Sequence, residues 1–169
     1  MISGAGKEHG DGVTSKLIHG VQVKRLHWVC DERGKLIEVL RSDDSVFRRF
    51  GMAYVTTCFP GVIKAWHCHM KQTDCIATFK GMVKMVLHDA REDSPTKGII
   101  NEFFMGEDNP ILLVIPPGGI YHGFTACGPE TAYLMNCPTE PYDPENPDSV
   151  WLDPFENSIP YQWKIRHGG

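Results

Sequence analysis

The sequence has no long hydrophobic run: nothing in it approaches the about 18 consecutive apolar residues that a bilayer-spanning helix needs, so no membrane span is expected. It has no excess of positive charge. Lys and Arg number 17 against 21 Asp and Glu, and a formal net charge of −4 gives no general attraction for polyanions, which sets nucleic acid aside as a partner. Its six cysteines (Cys30, Cys58, Cys68, Cys75, Cys127 and Cys137) contain no C-x-x-C pair, and the opening MISGAGKEHGDG lacks the apolar core of a secretory signal. Reduced thiols and a cytoplasmic location are therefore expected. No internal repeat or linker is present, and 169 residues suit one core. Residues 1–17 are expected to be a flexible arm and 18–169 a single domain.

What is present is a succession of short apolar or alternating runs broken by Gly, Pro and Asp, the pattern of strands rather than helices. Candidate strands are Val21–Leu26, Leu36–Leu40, Met52–Phe59, Val62–Trp66, Cys75–Phe79, Met82–His88, Ile99–Phe104, Leu112–Ile115, Gly123–Cys127 and Ala132–Cys137. So many short strands predict an all-β barrel or sandwich. Lys80-Gly81 reads as a hairpin turn, and Pro116-Pro117-Gly118-Gly119 interrupts the pattern where no central strand would tolerate it. Room for a helical turn remains over Ser45–Phe50 and beyond Pro154. From Pro138 to Pro160 prolines recur so often that the segment should run extended and wrap the barrel.

The chemistry concentrates in Gly61-Val-Ile-Lys64-Ala-Trp-His67-Cys-His69-Met-Lys-Gln72-Thr-Asp74. Residues two apart on a strand share a face, so His67 and His69 project together while Cys68 points away. Gly61, then His67-x-His69, then Asp74 and Gly81 resembles the first cupin motif, with Asp in place of the usual Glu. Pro117-x-Gly119-x-x-His122 resembles the second. That resemblance implies a cupin, a double-stranded β-helix or jelly-roll barrel, here with extended N-terminal strands and a Pro-rich C-terminal wrap.

A narrower resemblance follows. Asp31-Glu-Arg33-Gly34-Lys-Leu-Ile-Glu38 is similar to the D-x-R-G-x-x-x-E segment of the dTDP-4-dehydrorhamnose 3,5-epimerase family, and Gly61 to His67 to its G-V-x-R-G-x-H. Ser94-Pro-Thr-Lys-Gly98, His122-Gly-Phe124, Asn136-Cys137 and Trp151-Leu-Asp153-Pro154 with Ile159-Pro-Tyr-Gln-Trp163 match in the family's order. The resemblance implies an isomerase or epimerase of polysaccharide or deoxysugar biosynthesis, acting on a nucleotide-linked 4-keto sugar. A carbon-bound proton beside the ketone is removed and one is returned, the enolate being stabilised between. By the same resemblance His67 is the base and Asp153 its carboxylate partner. His122 lines the pocket, Arg33 and Lys64 meet the diphosphate, and Glu38 meets the nucleotide base. No cofactor is implied, and a homodimer is expected, because in this family the segment ahead of the barrel commonly completes a neighbour's pocket.

Three departures stand out. Asp74 lies where the family has a lysine, Met135 where it has its catalytic tyrosine, and His69 where glutamine is usual. Tyr142 is the nearby tyrosine able to replace the missing proton donor. The exchanges remove a cation and add ligand types, so His67, His69, Asp74 and His122 also read as a three-histidine, one-carboxylate site for a divalent metal. Asp74 reads equally as a carboxylate that orients a histidine. His67-x-His69 followed by Lys71 and Gln72 further resembles the sugar 3,4-ketoisomerases, and His69, Gln72 and Asp74 are candidate substrate contacts. A metal-dependent cupin isomerase or dioxygenase, and a nucleotide-sugar-binding cupin with reduced catalysis, are the alternatives. Trp66 and Trp151 are expected in the core, and Cys137 as an apolar filler.

Overall fold

A computed structural model describes residues 16–164; the arm expected over 1–17 thus lies, but for Lys16 and Leu17, outside the described residues. Among them are β1 (Gln22–Arg25), β2 (Trp28–Asp31), β3 (Gly34–Ile37), β4 (Tyr54–Cys58), β5 (Ile63–His69) and β6 (Asp74–Lys80). There follow β7 (Met82–Asp89), β8 (Ile100–Gly106), β9 (Ile111–Ile115), β10 (Ile120–Ala126), β11 (Ala132–Asn136) and β12 (Ser149–Trp151). One sheet has the order β1-β9-β6-β11-β4, the second β12-β5-β10-β7-β8, and β2-β3 form a separate two-stranded hairpin. From β4 onward every connection except β7 to β8 crosses between the two sheets, which is the jelly-roll arrangement expected of a cupin.

Alternation places Val83, Met85 and Leu87 of β7, Phe103 and Met105 of β8, and Ile111, Leu113 and Ile115 of β9 in one buried interior. Leu112 and Val114 face the other way, where Cys75, Ala77, Val39, Leu40 and Val46 cover them. Strand β9 is thus buried on both faces, which is why Ile-Leu-Leu-Val-Ile shows no polar alternation. The proline-rich tail wraps the second sheet as expected. Leu152, Ile159, Tyr161 and Trp163 pack on the fully buried Trp66, and the Trp66 and Leu152 backbones exchange hydrogen bonds of 3.1 and 2.9 Å.

Two local expectations change. Lys80-Gly81 does not close a hairpin: β6 and β7 belong to different sheets, and Gly81, at φ +68°, turns the corner between them. A Cβ there would meet the Ala132 Cα at 3.2 Å, so glycine serves a close approach as well as a turn. Ser45–Phe50 forms no helix, only a turn closed by the Phe47 N–H on the Asp44 carbonyl at 3.0 Å. Strands β2 and β12 had not been expected, being only four and three residues long amid turn formers and prolines.

The pairing of β5 with β10 carries one irregularity that matters for function. His67 faces His122, yet Lys64, three residues back, faces Phe124, two residues on, so β5 holds one extra residue between them. Such a bulge turns both His67 and Lys64 to the inside, where strict alternation would separate them. The bulged strand lies close against Gly123: a Cβ on that residue would overlap the Ala65 side chain and come within 2.7 Å of the Ala65 Cα.

Gly123→Ala is therefore expected to force β5 and β10 apart and to cost about 1–3 kcal/mol, as overpacking does. Gly128→Ala, where nothing lies within 4 Å, is the control, expected within about 0.5 kcal/mol of the parent. Urea unfolding of the two variants followed by circular dichroism makes the comparison.

Candidate active site

Three imidazoles meet at the inner wall of the second sheet. His67 and His69 come from β5 and His122 from β10, with ring centroids 4.1 Å apart for His67 and His122 and 5.6 Å for His67 and His69. Cys68 is buried away from them, as strand alternation requires. On the other side of His67 its register partner Trp151, from β12, lies nearly parallel over the imidazole at 4.7 Å and 23°. His67 is thus held between His122 and an indole face.

Asp74, at the start of β6 and 2% exposed, anchors the group from the opposite sheet. Its Oδ1 accepts hydrogen bonds from Gln72 Nε2 at 2.6 Å and Asn136 Nδ2 at 2.7 Å. Its Oδ2 stands 3.4 Å from His122 Nε2 and 3.6 Å from His69 Nε2. The other nitrogen of His69 faces Asp148 at 3.7 Å, and Asp148 is itself fixed by the backbone N–H groups of Lys71 and Gln72. Burial alone would raise the Asp74 pKa. The His122 contact, the charge attraction of both histidines and the Asn136 amide more than reverse this and hold it ionised below the usual carboxylate range.

Burial, followed by repulsion from His122, pushes the pKa of His67 far below that of a free imidazole, and the pull of Asp74 does not restore it. Burial likewise lowers His69. His67 is accordingly a neutral imidazole, and its Nδ1, like His69 Nδ1 and His122 Nε2, is buried without a hydrogen-bond partner.

His67 and His69 border a cavity of about 490 Å³, within the range of small-molecule sites, while His122, expected to line it, and Asp74 lie behind that wall. Met52, Ile76, Phe124, Leu134 and Trp151 make its wall largely apolar, and Tyr54, Lys64, Gln72, Asn136 and Tyr142 supply polar groups beside His67 and His69. The Lys64 ammonium is aimed by hydrogen bonds to the Thr56 hydroxyl at 2.8 Å and the Thr57 carbonyl at 3.0 Å.

Of the residues expected from sequence, the fold brings His67, His69, Gln72, Asp74, His122, Lys64 and Tyr142 to this one place. It does not bring Asp153. That carboxylate is exposed and caps a turn, accepting the Phe155 and Glu156 N–H groups at 2.8 Å, while the carboxylates near the histidines are Asp74 and Asp148. Arg33 and Glu38 also lie off the cavity. Arg33, its side chain 83% exposed, pairs with Asp31 in the β2–β3 turn, and Glu38 pairs with Arg41. Nor do His67, His69, Asp74 and His122 form a metal cage: among the described residues no three His, Cys, Asp or Glu side chains are grouped to hold an ion. Trp66 is core as expected, but Trp151 is 63% exposed and caps the base.

Sequence reasoning passed over Tyr54, Asp148 and the structural use of Asn136. For Tyr54 a signal existed, since Tyr54, Thr56 and Cys58 alternate on one strand face. For Asp148, in a proline-rich run, there was none.

A jelly-roll barrel with a neutral histidine set in an apolar cavity is a cupin equipped for proton transfer to and from carbon. The chain belongs to the dTDP-4-dehydrorhamnose 3,5-epimerase family, which matches residues 15–167. It is 40% identical over 147 residues to the spore coat polysaccharide biosynthesis protein SpsL of Bacillus subtilis (strain 168), covering 87% of this chain and 97% of SpsL. It is 42% identical over 146 residues to the probable low-salt glycan biosynthesis epimerase Agl13 of Haloferax volcanii, covering 85% of this chain and 88% of Agl13. Among solved structures, a dTDP sugar isomerase from Desulfovibrio desulfuricans G20 has a TM-score of 0.82 at 33% identity, covering 86% of this chain and 92% of that one. The chain is thus an enzyme of the sugar epimerase and isomerase class.

The buried neutral histidines set a pH dependence of stability. The unfolded chain takes up protons on histidine near pH 6.5, whereas folded His67, His69 and the partly buried His88 do so only at lower pH. The contribution is complete above about pH 6.5 and is lost as pH falls through that window. Asp74, also depressed, adds a further loss below about pH 4. The urea midpoint should therefore fall between pH 7 and 5, and His67→Asn should reduce that slope. A midpoint that rises on acidification would contradict the assignment.

Proposed function

We propose that this enzyme acts on a nucleotide-linked 4-keto sugar, in polysaccharide or deoxysugar biosynthesis, and that His67 removes the proton on the carbon beside the ketone. The observation that carries this reading is the neutral His67 imidazole, sandwiched by Trp151 at the wall of an apolar cavity large enough for a sugar. The C–H bond breaks toward His67, and its electron pair moves to the ketone oxygen as an enolate. A low-dielectric wall keeps water from competing for that proton. The chemistry asks for no cofactor.

Lys64, the cavity's ammonium group, is suited to the diphosphate. His69 and Gln72 offer polar contacts to sugar hydroxyls, and Asp74 and His122 set their orientation from behind. The aromatic face of Trp151 supports an apolar ring face. Arg33 and Glu38 enter this scheme through a second copy of the chain. The β2–β3 hairpin joins neither main sheet and presents Val29 and Leu36, direct register partners, at 65% and 59% exposure. A homodimer that buries this face and hands Arg33 and Glu38 to the neighbour's cavity accounts for both. The six unpaired cysteines fit a reducing, cytoplasmic setting.

Purified enzyme given dTDP-4-keto-6-deoxyglucose in deuterated water should place deuterium on a carbon next to the ketone, detected by NMR. His67→Asn should slow this by about 10²–10⁴, the usual value of a general base. No incorporation by the wild type would sink the reading.

Val29→Asp with Leu36→Asp should turn the dimer into monomer in analytical ultracentrifugation and raise KM, leaving the barrel folded. A wild-type protein that sediments as a monomer would remove the shared-pocket part of the scheme.

A further inference from the structure

Inverting a carbon needs a proton donor on the face opposite the base, and position 135 offers a methionine that is not among the cavity residues. From the cavity geometry we infer that Tyr54 is the proton donor that completes inversion, delivering its hydroxyl proton from the wall across from His67. This rests on the reading of His67 as base given above.

Tyr54 lies on β4 of the first sheet and His67 on β5 of the second, and both line the same cavity. Tyr54 is the direct register partner of Asn136 on β11. The two hydrogens of the Asn136 amide are divided: one contact runs to Asp74 Oδ1 at 2.7 Å and the other to the Tyr54 hydroxyl oxygen at 3.0 Å. Because Asn136 Nδ2 can only donate, the phenol oxygen is the acceptor in that bond. Its own hydrogen is therefore not spent on Asn136 and is available to the cavity. The same donated bond stabilises the phenolate left behind once the proton has gone. Tyr142, the tyrosine expected from sequence, also borders the cavity but is 65% exposed against 39% for Tyr54, and its hydroxyl has no such bond among the described residues.

The step balances. His67 takes the hydrogen from one face of the carbon, and the enolate carbon forms a new C–H bond with the Tyr54 proton on the other. The phenolate then recovers a proton from water, and His67 releases its own to water. Burial, and next the charge of Asp74, keep the Tyr54 phenol protonated beyond the ordinary tyrosine range, the Asn136 bond opposing them. The other ionisable groups facing this cavity are His67, His69, Lys64 and Tyr142.

The test uses full-length enzyme and dTDP-4-keto-6-deoxyglucose in deuterated water, scoring deuterium exchange and stereochemical inversion separately by NMR. Tyr54→Phe, which removes one oxygen, should continue to exchange deuterium with retained configuration, while inversion falls about 10²–10⁴-fold. In the wild type, inversion should fall only at pH above the ordinary tyrosine range while exchange continues, a measurement that needs no variant. Inversion at the wild-type rate in Tyr54→Phe, or its loss in Tyr142→Phe but not in Tyr54→Phe, would overturn the assignment to Tyr54 and leave His67 untouched. Absence of exchange in the wild type would instead remove the reading of His67, and this inference with it.

Discussion

The site depends on one buried carboxylate. Asp74 is withdrawn from water, and an isolated carboxylate there would be too costly to keep charged. It stays ionised because Gln72 and Asn136 donate to one oxygen while His122 and His69 face the other. Those contacts reach from β6 to the neighbouring β11 and across to β5 and β10, so a single charge fixes the distance between the two sheets where the cavity opens. Removing it would leave two amides and two imidazoles without their common partner, a larger loss than any one bond.

The same carboxylate gives the three histidines different environments. His122 and His69 have it within 3.4 and 3.6 Å, whereas His67 is packed between the His122 and Trp151 rings. Desolvation without compensation keeps an imidazole neutral, and a neutral imidazole is what proton abstraction requires. The difference follows from placement rather than residue type: two histidines face the carboxylate, and the third is packed between rings.

How much of this was legible in the sequence depended on the range of the interaction. The periodicity that marks strands is local, so ten of the strands, the jelly-roll class, the H-x-H pair and the proline-rich wrap could be read directly. Sheet membership is not local, and Lys80-Gly81 looked like a hairpin because a corner between sheets uses the same residues as a turn within one. The bulge in β5 was hidden for a related reason: an extra residue shows only against its partner strand, and without it Lys64 would be assigned to the wrong face. The position of Asp153 could not be read in advance, because an acid in a matching motif carries no sign of whether its carboxylate caps a turn or reaches a ring. Asp148 lies in a segment whose path is set by contacts with residues 71 and 72, far away in sequence.

Met135, where the family resemblance implies a tyrosine, shows why a site is better compared by its walls than by matched positions. Register partners on neighbouring strands put their side chains on one face about 5 Å apart. Asn136 and Tyr54 are such a pair, so either strand can present a phenol to nearly the same part of the cavity without any change in the barrel. Leu134 and Asn136 carry the inward face of β11, and Met135 between them is not a cavity residue. A tyrosine supplied by β4 and steadied by an amide from β11 places a hydroxyl in the cavity wall. The amide that bonds the Tyr54 hydroxyl is held in turn by Asp74.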